Sequence, residues 1–300
     1  MRKQEEKTLH RRLYGTESAG ALFSGAAVLM VLVSVVYSLI VASAELSYSS
    51  DDMPDWAIYC SYILPQAAFL IAIAAFFLLV DVSPRETYRG TKPAYFALAV
   101  LLQFGLFSLS WANGLFIGFL EETVGYTASS TVLPSTEGWR IVTVILAVAV
   151  LPAIFEETIF RGLMLGPLKR LSTPAAVLLS GLLFALYHQS PAQTVYQFCC
   201  GCAFALIAIR ANSVLPTMLS HFLNNAFIII LYACGIEDFS GAGGAVFYAL
   251  SGCALAFCLA WLIFADRKTN TKKTESAKPF FLYASVGIAV CGISWVLALF

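Results

Sequence analysis

Charge is what this sequence has least of. Only 12% of its 300 residues are Asp, Glu, Lys or Arg, about half the share in an average soluble domain. Histidine is rarer still, with three in the chain. Hydrophobic residues make up 59% and the mean hydropathy is +0.80. A soluble globular enzyme, a disordered chain and a nucleic-acid binder are therefore excluded as first readings. A cleavable signal peptide is also not expected. The first apolar run is too long for one and shows no clear small-residue cleavage site.

In place of charge there are eight uncharged stretches, at 18–44, 56–80, 93–120, 141–155, 171–209, 211–236, 239–265 and 279–300. A membrane-spanning helix needs about 20 mostly apolar residues. Stretch 171–209 is long enough for two, with Ser190-Pro191-Ala192-Gln193 as the break. Stretch 141–155 reaches that length only if its helix continues through Glu156, Glu157 and Arg161. The expected fold is an all-α, polytopic transmembrane helical bundle of eight or nine spans, the last of which could be peripheral. The multi-pass pattern suggests the plasma membrane, and the compact loops a prokaryotic one, with membrane lipids as the constant partner.

The few charges are sorted. If the N-terminus is cytoplasmic and the spans alternate, segments 1–17, 81–92, 166–173, 210–213 and 266–278 are inside and hold 16 of the 18 bases. The outer loops hold nine acids and one base, Arg140. This is the positive-inside bias. It supports three divisions: 1–138 as an N-terminal segment with three scaffold spans, 139–235 as a core, and 236–300 as C-terminal spans around a basic loop. The eight cysteines all lie in apolar stretches and read as packing residues. Cys199, Cys200 and Cys202 have no second ligand group spaced to complete a metal site.

Sorting leaves three charges that orientation does not explain: Glu156, Glu157 and Arg161, all inside a span. Ionisable groups there are costly and mark functional sites by default. Glu157 and Arg161 are four residues apart and can pair on one helix face. Glu156 lies about 100° around the helix from Glu157, so Arg161 need not neutralise it. Glu156 is therefore the candidate general base. An antiparallel hairpin would bring His188 to the depth of Glu156. His221 and Asn225, also four apart, share a face of a later span, where both could donate to a developing oxyanion. Asn224 points elsewhere, toward a neighbouring helix. Glu156, His188 and His221 could alternatively ligate zinc, with one position left for water.

Glu156-Glu157-x-x-x-Arg161, Phe184-x-x-x-His188 and His221-x-x-x-Asn225 resemble the three motifs of the CAAX protease and bacteriocin-processing family, also called Abi. These are intramembrane endopeptidases related to the type II CAAX prenyl endopeptidases. The motif region covers about a third of the chain, from about 140 to 235, with no departure at the six positions. The resemblance implies peptide-bond hydrolysis on a membrane-associated peptide or protein. Glu156 and His188 would activate water, His221 and Asn225 would form the oxyanion hole, and Glu157 and Arg161 would support the site. A metal-free, glutamate-type reaction is favoured because Asn is a poor zinc ligand, with zinc and a metalloprotease as the alternative. Substrate access is expected from the cytoplasmic leaflet or laterally. No nucleic acid is implied.

Other intramembrane proteases fit less well. The chain has no HExxH, no Gly-x-Ser-Gly and no Gly-x-Gly-Asp. The competing class is non-catalytic: a transporter or a bacteriocin-immunity binding protein that uses the buried Glu, Arg and His as a polar relay. A transporter would more often show paired repeats around broken helices, and the sequence shows none.

Overall fold

The structure, a computed structural model, describes residues 15–46, 53–128, 132–236, 239–266, 271–272 and 274–300. Among the described residues, eight helices are long and apolar enough to cross a membrane, and one shorter apolar helix joins them. In chain order they are α1 (Thr16–Ser43), α2 (Asp55–Leu79), α3 (Pro93–Val124), α4 (Arg140–Leu168), the short α5 (Thr173–Tyr187), α6 (Thr194–Ala211), α7 (Leu215–Ala233), α8 (Gly241–Ala265) and α9 (Lys278–Leu297). The described residues contain no strand. The chain is thus an all-α, polytopic membrane protein.

The two ends of the bundle are chemically distinct. At one end the basic loops are tied together. Thr16 bonds Glu275 and the Ser276 carbonyl, and Arg170 pairs with Glu275. Ser213 donates to the Arg89 carbonyl, and Thr91 to that of Ala211. At the other end the Asp55 carboxylate accepts from the Ser135 backbone N–H, and Tyr62 donates to the Val132 carbonyl. These are called the basic and acidic ends.

Helices packing in lipid approach closely through small residues. The first and last spans pair in this way. A Cβ on Gly20 would collide with the Phe280 carbonyl, and one on Gly287 would come within 2.8 Å of the Phe23 ring. Phe280, Ala284, Gly287 and Cys291 form the buried stripe of α9. The ninth span is therefore seated in the bundle against α1. Its opposite face carries exposed Leu282 and Val286, as a lipid-facing surface should.

The hairpin of α5 and α6 also crosses through glycines. A Cβ on Gly201 would sit 2.7 Å from the Gly181 Cα. Its first arm is short: fifteen residues of α5 reach only about 22 Å, less than the roughly 30 Å of a hydrocarbon core. Its second arm, Pro191–Ala211, is long enough to cross, and the chain turns between the two at residues 188–193. Ser190 is extended ahead of Pro191, a single 3-10 turn follows at Pro191–Gln193, and Gln189 has a positive φ of 51°. The break expected at 190–193 is there, and Asn113 of α3 pins it. Its amide donates to the Ala192 carbonyl at 2.6 Å and its oxygen accepts from the Tyr196 N–H at 3.0 Å.

Candidate active site

Helix α4 carries the acids. It runs unbroken from the acidic end past Glu156, Glu157 and Arg161, so stretch 141–155 does continue into a charged helix. The helix is irregular, with π-helical turns at Ile145–Val150 and Thr158–Met164 flanking the two glutamates. π-turns occur often at functional sites. Pro152 lies between them and has no N–H to offer the carbonyl four residues back, Val148. Asn225 supplies the donor from α7, with Nδ2 3.0 Å from that oxygen. A gap in the hydrogen bonding of α4 thus fixes a side chain of α7.

Glu157 and Arg161 pair at 2.8 Å with both side chains fully buried. The second terminal nitrogen of Arg161 donates to the Gly201 carbonyl at 3.2 Å, which the close Gly181–Gly201 crossing brings within reach. The guanidinium also lies over the Phe184 ring, 4.2 Å from its centroid, a cation–π contact. The same Glu157 oxygen accepts from His221 Nδ1 at 3.0 Å. Glu157 therefore joins the arginine of its own helix to the histidine of α7.

Glu156 faces the other way. Its Oε2 lies 4.0 Å from His188 Nε2 and 4.0 Å from His221 Nε2. That oxygen is buried and makes no hydrogen bond among the described residues. His188 caps α5, with Nδ1 2.7 Å from the Phe184 carbonyl. A carbonyl only accepts, so Nδ1 carries the hydrogen and Nε2 presents its lone pair to Glu156.

The structure thus brings five of the six sequence candidates into one contiguous group: Glu156, Glu157, Arg161, His188 and His221. Asn225 completes the set across the cavity. Asn224 turns into the helix packing, where its oxygen accepts from Tyr196 at 2.7 Å and Gln103 at 2.9 Å. Its amide donates to Asn225 Oδ1 at 3.1 Å, so it also orients Asn225. Tyr196 and Gln103 escaped the sequence reading. Gln103 could have been found as one of two amides, with Asn113, in the apolar stretch 93–120.

Glu156, His188, His221 and Asn225 line a cavity of about 630 Å³. Gln193 at the hairpin tip and Tyr196 and Gln197 in the first turn of α6 also line it. Phe107, Phe227, Phe239 and Phe247 form an aromatic wall, with Phe239 stacked on Phe247 at 4.5 Å.

The zinc alternative asks for three donors at about 2.0–2.2 Å from one metal, which puts neighbouring donors closer together than 4.0 Å in a tetrahedral site. Glu156 Oε2 stands 4.0 Å from both imidazole nitrogens. Among the described residues no group of three His, Cys, Asp or Glu is placed to hold a metal. The set Glu156, His188, His221 as arranged does not fit zinc. Its spacing suits a water between carboxylate and imidazole.

Residues 138–227 match the family model described as "Rce1-like: Type II CAAX prenyl endopeptidase Rce1-like". The segment carries a CAAX protease family signature. It contains all six motif residues, and the match bears out the resemblance carried by those motifs. No curated protein and no solved structure matches the chain. The Rce1-like segment starts beside Arg140 and ends in α7, so it comprises the acid-bearing helix, the short hairpin and the His/Asn helix. The helices outside it enclose the site: α2 and α3 contribute Gln66 and Asn113 to the cavity lining, and α8 contributes Phe247.

Proposed function

We propose that this chain is an intramembrane endopeptidase of the glutamate type, in the plasma membrane of a prokaryote, acting on peptides or proteins held at the membrane. The observation that carries the reading is the unpartnered Glu156 oxygen facing two imidazoles across a gap of one water. Residues 139–235 supply the catalytic core and the remaining spans hold it.

A water in that gap sits between Glu156 Oε2 and the lone pair of His188 Nε2. Glu156 takes its proton as hydroxide attacks the scissile carbonyl. His188 fixes the water's orientation by accepting its second hydrogen. The carbonyl oxygen becomes an oxyanion on the α7 side. There the free hydrogen of Asn225 Nδ2 donates to it, together with Nε2–H of His221, which acts as the imidazolium because its Nδ1–H stays on Glu157. Glu157 holds His221 by its Nδ1, and Arg161 holds Glu157. The proton on Glu156 then passes to the leaving amine, which closes the cycle with the carboxylate restored.

The test is Glu156→Gln in purified protein reconstituted in liposomes, against a peptide library. Wild type should cleave, and the variant should lose cleavage while keeping its thermal melting point. Cleavage by Glu156→Gln at the wild-type rate would overturn the mechanism. Proton-coupled flux without cleavage by wild type would replace the protease with a transporter.

A further inference from the structure

We propose that a second cavity, at the basic end of the bundle, binds a phosphate group between Arg89 and Lys169. The cavity holds about 190 Å³, room for about six waters at about 30 Å³ each. It shares no lining residue with the cavity around Glu156. The proposal stands whether or not the chain is a protease.

The walls of this cavity are tied together. Segment 81–92, between α2 and α3, lies against α4 on one side and the α6–α7 turn on the other. Tyr88 Oη and Thr158 Oγ1 share a hydrogen bond at 2.9 Å. The Ser213 hydroxyl donates to the Arg89 carbonyl at 2.6 Å, and that of Thr91 to the Ala211 carbonyl at 2.8 Å. A Cβ on Gly162 would come within 2.7 Å of Thr87 Cγ2, so this glycine sets how closely the segment approaches α4. Arg89 is thus held by bonds on both sides of it. Lys169 comes from the opposite wall. It shares one face of the helical run with Gly162, Leu165 and Gly166, all of which line the cavity. The two glycines on that face have no side chain to fill the space.

Three observations make the cavity a site for an anion. First, its two bases lack a counter-charge. Neither Arg89 nor Lys169 makes an ion pair among the described residues. The acid in the lining, Glu86, is exposed and pairs with neither. Burial and the Arg89 charge hold the Lys169 ammonium pKa below the ordinary lysine value, as expected of two cations brought together with no anion between them. Second, Arg161 lies two helical turns before Lys169 and also lines the cavity. It is 4% exposed, and its Nε is buried without a hydrogen bond. Third, Asn212 stands on the rim in a left-handed conformation, with φ of 48°. Its side-chain amide makes no hydrogen bond among the described residues.

The donors select phosphate, and their position selects what carries it. A guanidinium fork matches two oxygens of a phosphate, and an ammonium supports it as a point charge. Lys169 is the first residue past the span Arg140–Leu168, Asn212 the first past Pro191–Ala211, and Arg89 lies just before the span that starts at Pro93. The cavity therefore sits where spans end, at the level of lipid headgroups. Basic pockets between spans on the cytoplasmic side hold anionic headgroups. An anionic phospholipid brings its phosphate to that depth, whereas the choline cation of a zwitterionic lipid meets two like charges.

The experiment uses the full chain purified in a neutral detergent. Dioctanoyl phosphatidylglycerol and dioctanoyl phosphatidylcholine are titrated by calorimetry. Phosphatidylglycerol should bind at least tenfold tighter. Arg89→Gln and Lys169→Gln should each weaken it at least tenfold. Lys272→Gln, which removes an exposed base at the same end but outside the cavity, should leave it unchanged. A melting curve of each variant without lipid confirms that it is folded. Equal affinity for the two lipids, unchanged affinity in both Arg89→Gln and Lys169→Gln, or an equal loss in Lys272→Gln overturns the site. Inorganic phosphate as competitor separates the two carriers of the group. Displacement of the lipid at equal concentration makes the free ion the ligand, and no displacement makes it the headgroup; both keep the phosphate between Arg89 and Lys169.

Discussion

Glu156 Oε2 is equidistant from two imidazoles, 4.0 Å from Nε2 of His188 and 4.0 Å from Nε2 of His221. Neither distance is a hydrogen bond. Each leaves room for one water, and the carboxylate can reach a water that either histidine also touches. The relationship depends on side-chain length. Glu156→Asp keeps the charge but withdraws the carboxylate by one methylene, and a misplacement of about 1 Å can cost about 10²-fold in rate. The expected result is a kcat lower by about that factor with KM and melting point little changed. A wild-type kcat for the variant would mean that the carboxylate position is not used.

The Glu157–Arg161 pair makes a different prediction, about stability. Both side chains are fully buried, and removing one partner of such a pair strands a charge at a cost of roughly 3–5 kcal/mol. Arg161→Met and Glu157→Leu should each lower the melting point in detergent strongly. Combined they should recover much of it, because neither charge is then left alone. Activity should not recover with the fold, since His221 Nδ1 loses its acceptor. Recovery of both would reduce the pair to a structural lock.

Asn225 and Asn224 are adjacent and make opposite predictions. Asn225 lines the cavity and keeps one amide hydrogen beyond its bond to Val148. Asn225→Ala should cost about 10²–10³ in kcat, the scale of a lost oxyanion donor, with little change in KM. Asn224 is buried in bonds to Tyr196, Gln103 and Asn225. Asn224→Ala should lower the melting point first and kcat only through the orientation of Asn225. Steady-state kinetics beside thermal melts of the two variants separates donor from positioning residue.

Much of this arrangement was legible in the sequence because a membrane makes polar residues conspicuous. Eight uncharged stretches marked the spans. Glu156, Glu157 and Arg161 stood out as the charges that orientation did not use. The depth match between Glu156 and His188 followed from helix rise and a hairpin. What stayed hidden was what depends on departures from regular helix. The π-turns at Ile145–Val150 and Thr158–Met164 have no sequence signature, and the Asn225–Val148 bond needs the partner helix to be in place.

The metal question has its own measurement. The spacing around Glu156 is too wide for zinc, so purified protein should hold less than about 0.1 equivalent of it, and activity should survive prolonged chelation with EDTA or 1,10-phenanthroline. Stoichiometric zinc that disappears in both His188→Ala and His221→Ala would show that the three side chains close around a metal and would overturn the glutamate-type mechanism.

Lys169 gives a prediction at the basic end, outside the spans. Burial and the neighbouring Arg89 guanidinium both hold its ammonium pKa below the ordinary lysine value. The unfolded chain, with a pKa near 10.4, then binds more protons than the folded one at any pH between the two values. Stability should therefore rise as pH climbs through the lowered folded pKa and level off near the unfolded one. Below that window the folded state carries the full penalty of two cations brought together. Lys169→Met removes the charge and keeps the apolar stem, so it should raise the melting point at neutral pH and flatten the alkaline rise expected of wild type. Arg89→Gln should reproduce part of both effects, because it removes the second of the two causes and leaves the burial. Parallel melting curves for wild type and Lys169→Met across neutral to alkaline pH would mean that the ammonium finds water or an anion in the folded protein.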